Sequence, residues 1–453
     1  MNDSYSAIVL AAGLGKRMKS DLPKVLHKIC GSTLAEHVLM NLEEADLFRV
    51  AIITGHQHEL VEQTLGDQYS YYHQQPQLGT AHAVMQAKNF LSEHPGKVIV
   101  LCGDAPLQSG ACLKDFISFC DEQHLDLGVL TAELEDPAGY GRIIRTNGIL
   151  SKIVERKDCS PEEASIREIN SGTYCFDTEK LIEILGEIGN QNAQNEYYLT
   201  DAVELFIKKG YRVNAYKSND PQIVMAVNNL YELHECESAM RQQINRRHIM
   251  NGVRLIDPSA SYIDRKATIA AGTVIYPNTI ITGNTEIGSD NTIIASRIDN
   301  SKIGNGNEID TSTIEQSDVA NSVHIGPYAH LRPNSSIGSS VKVGNFVEVK
   351  NSSVGENTKI SHLTYVGDGE VGRDVNLGCG IVFVNYDGKS KYKTIVEDGA
   401  FIGCNVNLIA PVKVGKHAFI AAGSTITDDV QEDALVIARS KAVTKSNWNK
   451  EKK

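Results

Sequence analysis

Residues 263–293 read IDRKATIAAGTVIYPNTIITGNTEIGSDNTI. Ile263, Ile269, Ile275, Ile281, Ile287 and Ile293 recur there at an unbroken spacing of six. After a short irregular patch the beat returns at Ile303 and Ile309. It returns again at Ile325, Leu331, Ile337, Val343 and Val349, and finally at Ile402, Leu408, Val414, Ile420 and Ile426. Gly often follows the aliphatic residue, as in Ile287-Gly288, Ile325-Gly326 and Val414-Gly415. Thr, Val, Ser or Ala often stands four residues after it. Such a hexad predicts a parallel β-helix. A short strand buries one large aliphatic residue and then turns a corner, where Gly, Asn or Asp tolerate positive φ. Three sides make a coil, and stacked coils form aliphatic ladders. A run of antiparallel hairpins would instead alternate with period two.

Working outward, 453 residues are too many for one core, so at least two domains are expected. The composition, 41% hydrophobic and 22% charged, is that of a globular protein. No apolar run approaches the roughly 18 residues of a membrane helix, and the first residues lack the basic region of a signal peptide. Nine scattered cysteines without a CxxC pair argue for free thiols in a reducing cytoplasm, and against a disulfide frame or zinc site. A net charge of −12 argues against nucleic acid as a partner. The chain ends on a basic tail, with five lysines after Ser440.

The first 225 residues alternate strand-like and helix-like patterns. Ser6–Leu10, Val50–Thr54 and Val98–Cys102 read as buried strands, and Leu34–Leu47 and Ala81–Leu91 as amphipathic helices. Such alternation predicts a parallel sheet covered on both faces, with ligands at the carboxyl ends of its strands. The loop after the first strand reads Leu10-Ala11-Ala12-Gly13-Leu14-Gly15-Lys16-Arg17, followed by Leu22-Pro23-Lys24. Glycines between strand and helix let backbone N–H groups approach phosphate. It is neither a Walker loop nor a dinucleotide fingerprint. Cys102-Gly103-Asp104 ends a strand, so Asp104 stands at the sheet's carboxyl edge, either as an oxygen ligand for Mg²⁺ or as a helix N-cap. From Val224 to Ile244 apolar residues recur at roughly helical spacing, and Asn251-Gly252 is a plausible C-cap. One long helix is expected there.

The glycine loop with Arg17 and Lys24 resembles the signature of sugar-nucleotide pyrophosphorylases. That resemblance implies a Rossmann-like nucleotidyltransferase domain in which Leu10, Ala11, Ala12, Gly13 and Lys24 grip UTP, with Arg17 and Lys24 catalytic in neutralising the charge that develops as uridylyl is transferred. Gln74, Gly79 and Thr80 would then contact uracil. Gly103 and Asp104 would line the nucleotide site, and Gly141, in Gly139-Tyr140-Gly141-Arg142, would join Glu155 and Asn170 at the sugar. Asp104 and Asn228 would hold Mg²⁺. Cys102, Ser171 and Ala226 stand where this family often has Tyr, Thr and Gly.

The repeat resembles hexapeptide acyltransferases, whose coil is left-handed. Several residues break its beat. Arg332 and Lys350, eighteen apart, should stack on consecutive coils, and two cations close together favour an anion such as a sugar phosphate. His362, Tyr365, Asn376 and the interruption at Asn385-Tyr386 lie nearby in sequence. Both motif sets in this order resemble the bacterial bifunctional family that is at once glucosamine-1-phosphate N-acetyltransferase and N-acetylglucosamine-1-phosphate uridylyltransferase. What that resemblance implies is a left-handed β-helix, a cytoplasmic homotrimer and a UDP-N-acetylglucosamine product for cell-wall synthesis. His362 is then the general base, and Arg332, Lys350, Tyr365, Asn376, Asn385 and Tyr386 bind the sugar phosphate. Cys379, Cys404, Ala422 and Arg439 contact acetyl-CoA, with Cys404 replacing a commoner Ser. The expected domains are 1–228, a linker helix 229–252, and 253–453. Two other readings of the chain are a single-activity pyrophosphorylase with a structural β-helix, and a non-enzymatic sugar-nucleotide scaffold.

Overall fold

The computed structural model describes residues 4–137 and 139–450. The chain divides into two compact units, Met1–Met240 and Arg241–Lys453. The division falls inside the helix Leu230–Met250. That helix ends in a Schellman turn: Val253 N–H donates to His248 O and Gly252 N–H to Ile249 O, with Gly252 at φ 89°. Val224 and Val227, which carry the helical spacing in sequence, precede the helix; Val224 ends the 3₁₀ turn Pro221–Val224.

The first unit is built on a sheet whose order from edge to edge is Val213–Lys217, Leu127–Glu133, Glu168–Asp177, Lys97–Cys102, Tyr5–Ala11, Val50–Thr54 and Ser70–His73. The three strands expected from sequence are present, and Tyr5–Ala11 runs parallel to both of its neighbours. Its side chains alternate between two cores. Ala7 and Val9 pack with Ile52 and Phe116 on one face, and Ile8 packs with Ile53 and Phe90 on the other. The sheet is mixed rather than all-parallel, because Glu168–Asp177 is antiparallel to both of its neighbours. The physical reason lies between residues 133 and 168. Among the described residues no helix there crosses back over the sheet; the chain makes the hairpin Arg142–Thr146/Ile149–Val154 and one turn of helix, Pro161–Ala164. It therefore re-enters running the opposite way. The expected helix Ala81–Leu91 is two helices, Thr80–Gln86 and Lys88–Glu93, broken at Ala87.

The second unit is a left-handed parallel β-helix with faces of eleven, ten and nine strands. Every aliphatic residue of the hexad is buried. Register shows the coils directly: Ile269 pairs with Ile287, eighteen residues on. The irregular patch is two sixteen-residue coils, since Ile287 pairs with Ile303 and Ile303 with Val319. Shortened corners place Ala295, Asn300, Thr311 and Gln316 at positive φ. Later, Val371 pairs with Val396, twenty-five residues on, because the segment after Asn385 leaves the coil and returns. Gly369 makes room inside for Phe383, whose ring lies 2.7 Å from where a Cβ would stand.

Candidate active sites

In the first unit the loop after Tyr5–Ala11 leads into a single 3₁₀ turn, Lys16–Met18, not an α-helix. Gly15 and Lys19 on either side of that turn are left-handed, at φ 59° and 51°, and the next α-helix begins only at Leu34. A helix dipole is therefore absent from this loop, and anion binding falls to loop N–H groups and side chains. Gly13 has open space where a Cβ would project. At Gly79 (φ 113°) a Cβ would meet the Tyr197 backbone at 2.6 Å, so only glycine fits.

This loop borders a pocket of about 350 Å³ lined by Leu10, Ala11, Ala12, Gly13, Lys24, Gln74, Gly79, Thr80 and Asp104 among others. Nine residues assigned from sequence thus converge on one cavity. Sequence reasoning missed Gln77, which lines the same pocket and donates to Ala12 O at 2.9 Å. Gln74 is buried, and its Nε2 donates to Gly79 O at 2.9 Å and meets His82 Nδ1 at 3.0 Å.

Asp104 is not a helix cap; the following helix, Gly110–Glu122, is capped by Ser109. Asp104 makes an ion pair with Lys24. Lys24 Nζ also donates to Asn228 Oδ1 at 3.2 Å, and Arg17 donates to the same oxygen at 3.1 Å. The backbone helps this meeting, since Val227 N–H donates to Asp104 O at 3.0 Å. An ammonium thus stands where a carboxylate and an amide oxygen converge, and two hard oxygen donors of this kind suit Mg²⁺ completed by phosphate and water. No group of three or more His, Cys, Asp or Glu suited to a metal occurs among the described residues, so a closed protein cage is not offered.

Gly141 and Asn170 also come together, and Glu155 follows Val154, which pairs with Arg142. Asn170 N–H donates to Gly141 O, and Asn170 Nδ2 donates to Tyr174 Oη at 2.6 Å. Burial, more than any neighbour, pushes the Glu155 carboxyl above its usual range; Thr200 donates to it at 3.4 Å. Burial likewise pushes the Cys102 thiol up to about 12, with Asp104 adding to it. Cys102 is thus no nucleophile at neutral pH. Gly103 N–H is tied to Leu10 O at 2.9 Å, so Gly103 contributes by fixing the backbone next to Asp104. Arg142 is buried and donates to Pro137 and Tyr140 carbonyls, a structural use of its charge.

In the second unit Leu331 pairs with Val349, so Arg332 and Lys350 occupy consecutive coils as expected. Arg332 donates to Glu348 at 2.8 Å, which raises its affinity for its proton. The Lys350 ammonium is held below the usual lysine range, first by Lys391 and then by Arg332. Lys391 was not read from sequence, although it lies in the interruption that was; an isolated bridge between Tyr386 and Lys391 folds that segment back. Asn385 is buried and donates to Asp368. Tyr365 lies over Gly367, the residue paired with Lys350.

His362 ends the strand Lys359–His362 and is exposed. It pairs in register with Asn345, and its Nδ1 lies 2.7 Å from Asn345 Oδ1. Asn345 was also missed, though a count of seventeen along the coil would have reached it. Two residues beyond the paired Ile360, Leu377, Ile402 and Ile420 come His362, Cys379, Cys404 and Ala422, one per coil on the same corner. Arg439 donates to Ala422 O. Asn376 lies on the eleven-stranded face, while Lys350 and Tyr365 lie on the ten-stranded face.

Residues 6–231 match the nucleotidyl transferase family, and residues 393–428 match the bacterial transferase hexapeptide (six repeats). A protein of Geobacillus sp. (strain WCH70) described as bifunctional protein GlmU is 50% identical over 98% of this chain and 97% of its own length. The chain belongs to the bifunctional GlmU family. The GlmU of Bacillus subtilis (strain 168) is also 50% identical, over 99% of both chains. A solved UDP-glucose pyrophosphorylase complexed with UDP-glucose covers 53% of this chain and 99% of its own, at 20% identity and a TM-score of 0.45. As a member of that family, the protein is a bifunctional transferase that joins uridylyl transfer to acetylation. No helix among the described residues is long and apolar enough to cross a membrane.

Proposed function

We propose that this protein acetylates glucosamine-1-phosphate with acetyl-CoA in its second unit. Its first unit then transfers uridylyl from UTP to the resulting N-acetylglucosamine-1-phosphate and releases pyrophosphate. The observation that carries this reading is the corner column headed by His362, on the same chain as the Lys24–Asp104 pocket.

In the acetyl site, Arg332, Lys350 and Lys391 hold the sugar phosphate, and Tyr365, Asn376, Asn385 and Tyr386 hold the sugar. Acetyl-CoA lies along Cys379, Cys404 and Ala422, with its phosphates near Arg439 and the basic tail. His362 Nε2 takes a proton from the sugar amine as that amine attacks the thioester carbonyl; the C–S bond then breaks, and CoA leaves as its thiol with that proton. Asn345 accepts from Nδ1–H and keeps the imidazole in the tautomer that can do so. The hexapeptide repeat supports oligomerisation, and the assembly is a homotrimer.

In the uridylyl site, Gln74, Gly79 and Thr80 take the uracil, and Gly141, Glu155 and Asn170 the sugar. Arg17, Lys24 and the N–H groups of residues 11–13 take the triphosphate. Asp104 and Asn228 would hold Mg²⁺, which when bound neutralises charge on the phosphates. Lys24 leaves Asp104 for phosphate when the nucleotide enters. The enzyme is cytoplasmic, where both nucleotide substrates are available. CoA release from acetyl-CoA with glucosamine-1-phosphate, and pyrophosphate release from UTP with N-acetylglucosamine-1-phosphate, test the two halves. Failure of either assay on folded protein removes that half of the proposal.

A further inference from the structure

We propose that Glu232 is a positioning residue of the uridylyl site: it fixes the side-chain amide of Asn228 so that oxygen, not nitrogen, faces the metal. This rests on the reading above that Asn228 is a metal ligand. A side-chain amide has the same shape in both orientations, but only its oxygen can bind a cation. Something must therefore choose between them.

Glu232 makes the choice. A carboxylate only accepts, and Glu232 Oε2 accepts from Asn228 N–H at 2.7 Å and from Asn228 Nδ2 at 3.0 Å. Its Oε1 accepts from Asn229 Nδ2 at 2.7 Å. With Nδ2 held, Oδ1 is turned toward Arg17 and Lys24. Glu232 is itself well anchored. It is the third residue of the helix Leu230–Met250, and Asn229 Oδ1 caps that helix by accepting from the Tyr231 and Glu232 N–H groups, each at 2.9 Å. Its negative charge is favourable in a first helical turn. Once a metal takes the place of the Lys24 ammonium, Arg17 is the donor left on the oxygen side, and the triphosphate assigned to it above draws it away. Glu232 then holds the Nδ2 side of the amide at 3.0 Å, with Ala226 O as a longer second acceptor at 3.4 Å.

The test measures binding of Mn²⁺–UTP to the full-length protein by water-proton relaxation, with no acceptor sugar and so no turnover. Glu232→Gln has a donor end as well as an acceptor end, so it no longer excludes the inverted Asn228 amide. Binding should weaken about tenfold, the lower end of losses seen for groups that orient metal ligands. Asn228→Asp should also weaken binding, because its carboxylate faces Glu232. A carboxylate has no wrong orientation, so adding Glu232→Gln to Asn228→Asp should restore binding rather than weaken it further. A residue that only capped the helix would not reverse sign between the two backgrounds, and the same sign in both overturns the proposal. Should Glu232→Gln fail to fold by circular dichroism, Glu232→Asp, too short to span to Asn228, takes its place. If Asp104→Asn and Asn228→Ala leave Mn²⁺–UTP binding intact, the metal assignment itself fails. If those two weaken it and Glu232→Gln does not, only the positioning role fails.

Discussion

Nδ1 of His362 lies 2.7 Å from Oδ1 of Asn345, one coil earlier on the same corner of the prism. An amide oxygen only accepts, so this contact selects the Nδ1–H tautomer and leaves the Nε2 lone pair free. A positioned base contributes roughly 10²–10⁴ in rate. His362→Ala should therefore cut acetyl-transfer kcat by a factor of that order, with little change in KM for acetyl-CoA. Asn345→Ala should cost less than His362→Ala, and Asn345→Asp, which keeps the acceptor, less again. Steady-state kinetics on protein of unchanged circular dichroism and sedimentation decides. An intact His362→Ala enzyme within a few-fold of wild type would show that histidine is not the base.

Asp104 and Asn228 converge on the Lys24 ammonium, and a divalent cation would have to displace it. Asp104→Asn should depress uridylyl transfer and weaken its dependence on Mg²⁺, while acetyl transfer stays near wild type. Metal titration of both activities checks this. Equal loss of both would signal misfolding rather than a lost ligand.

Cys404 is exposed and Cys379 half-buried, on the corner column proposed for acetyl-CoA. Alkylation should inhibit acetyl transfer, and bound acetyl-CoA should protect both thiols. Mass spectrometry with and without acetyl-CoA reads this out. Labelling that does not change at either cysteine would move CoA elsewhere.

His248 is buried in the second unit, with no partner for Nε2, and burial, followed by Arg247, holds its pKa down at about 4. The unfolded chain binds this proton near pH 6.5 and the native chain only near 4. Native stability contributed here is therefore present above about pH 6.5 and lost as pH falls toward 4. His248→Phe should flatten the fall in Tm of the β-helix between pH 7 and 5 by a few degrees, on the order expected for a unit of this size. Calorimetry across that range tests it; an unchanged slope would show that His248 does not titrate with unfolding.

The sequence of this protein determined the β-helix and the place of the nucleotide loop. Inward positions on a coil recur at fixed steps along the chain, so Ile263 to Ile426 announce their burial without knowledge of any distant residue. The loop from Leu10 to Lys24 follows a strand whose apolar run is equally local. Tertiary structure alone decided the mixed sheet, the turn of Lys24 toward Asp104, the Lys391 beside Lys350 and the orientation of Asn228 by Glu232. Each of those depends on which remote backbones meet. An amide's orientation or an ammonium's partner is set by groups brought within about 3 Å by the fold. Periodicity records what a residue must bury, and it carries no record of which way a buried polar group must face.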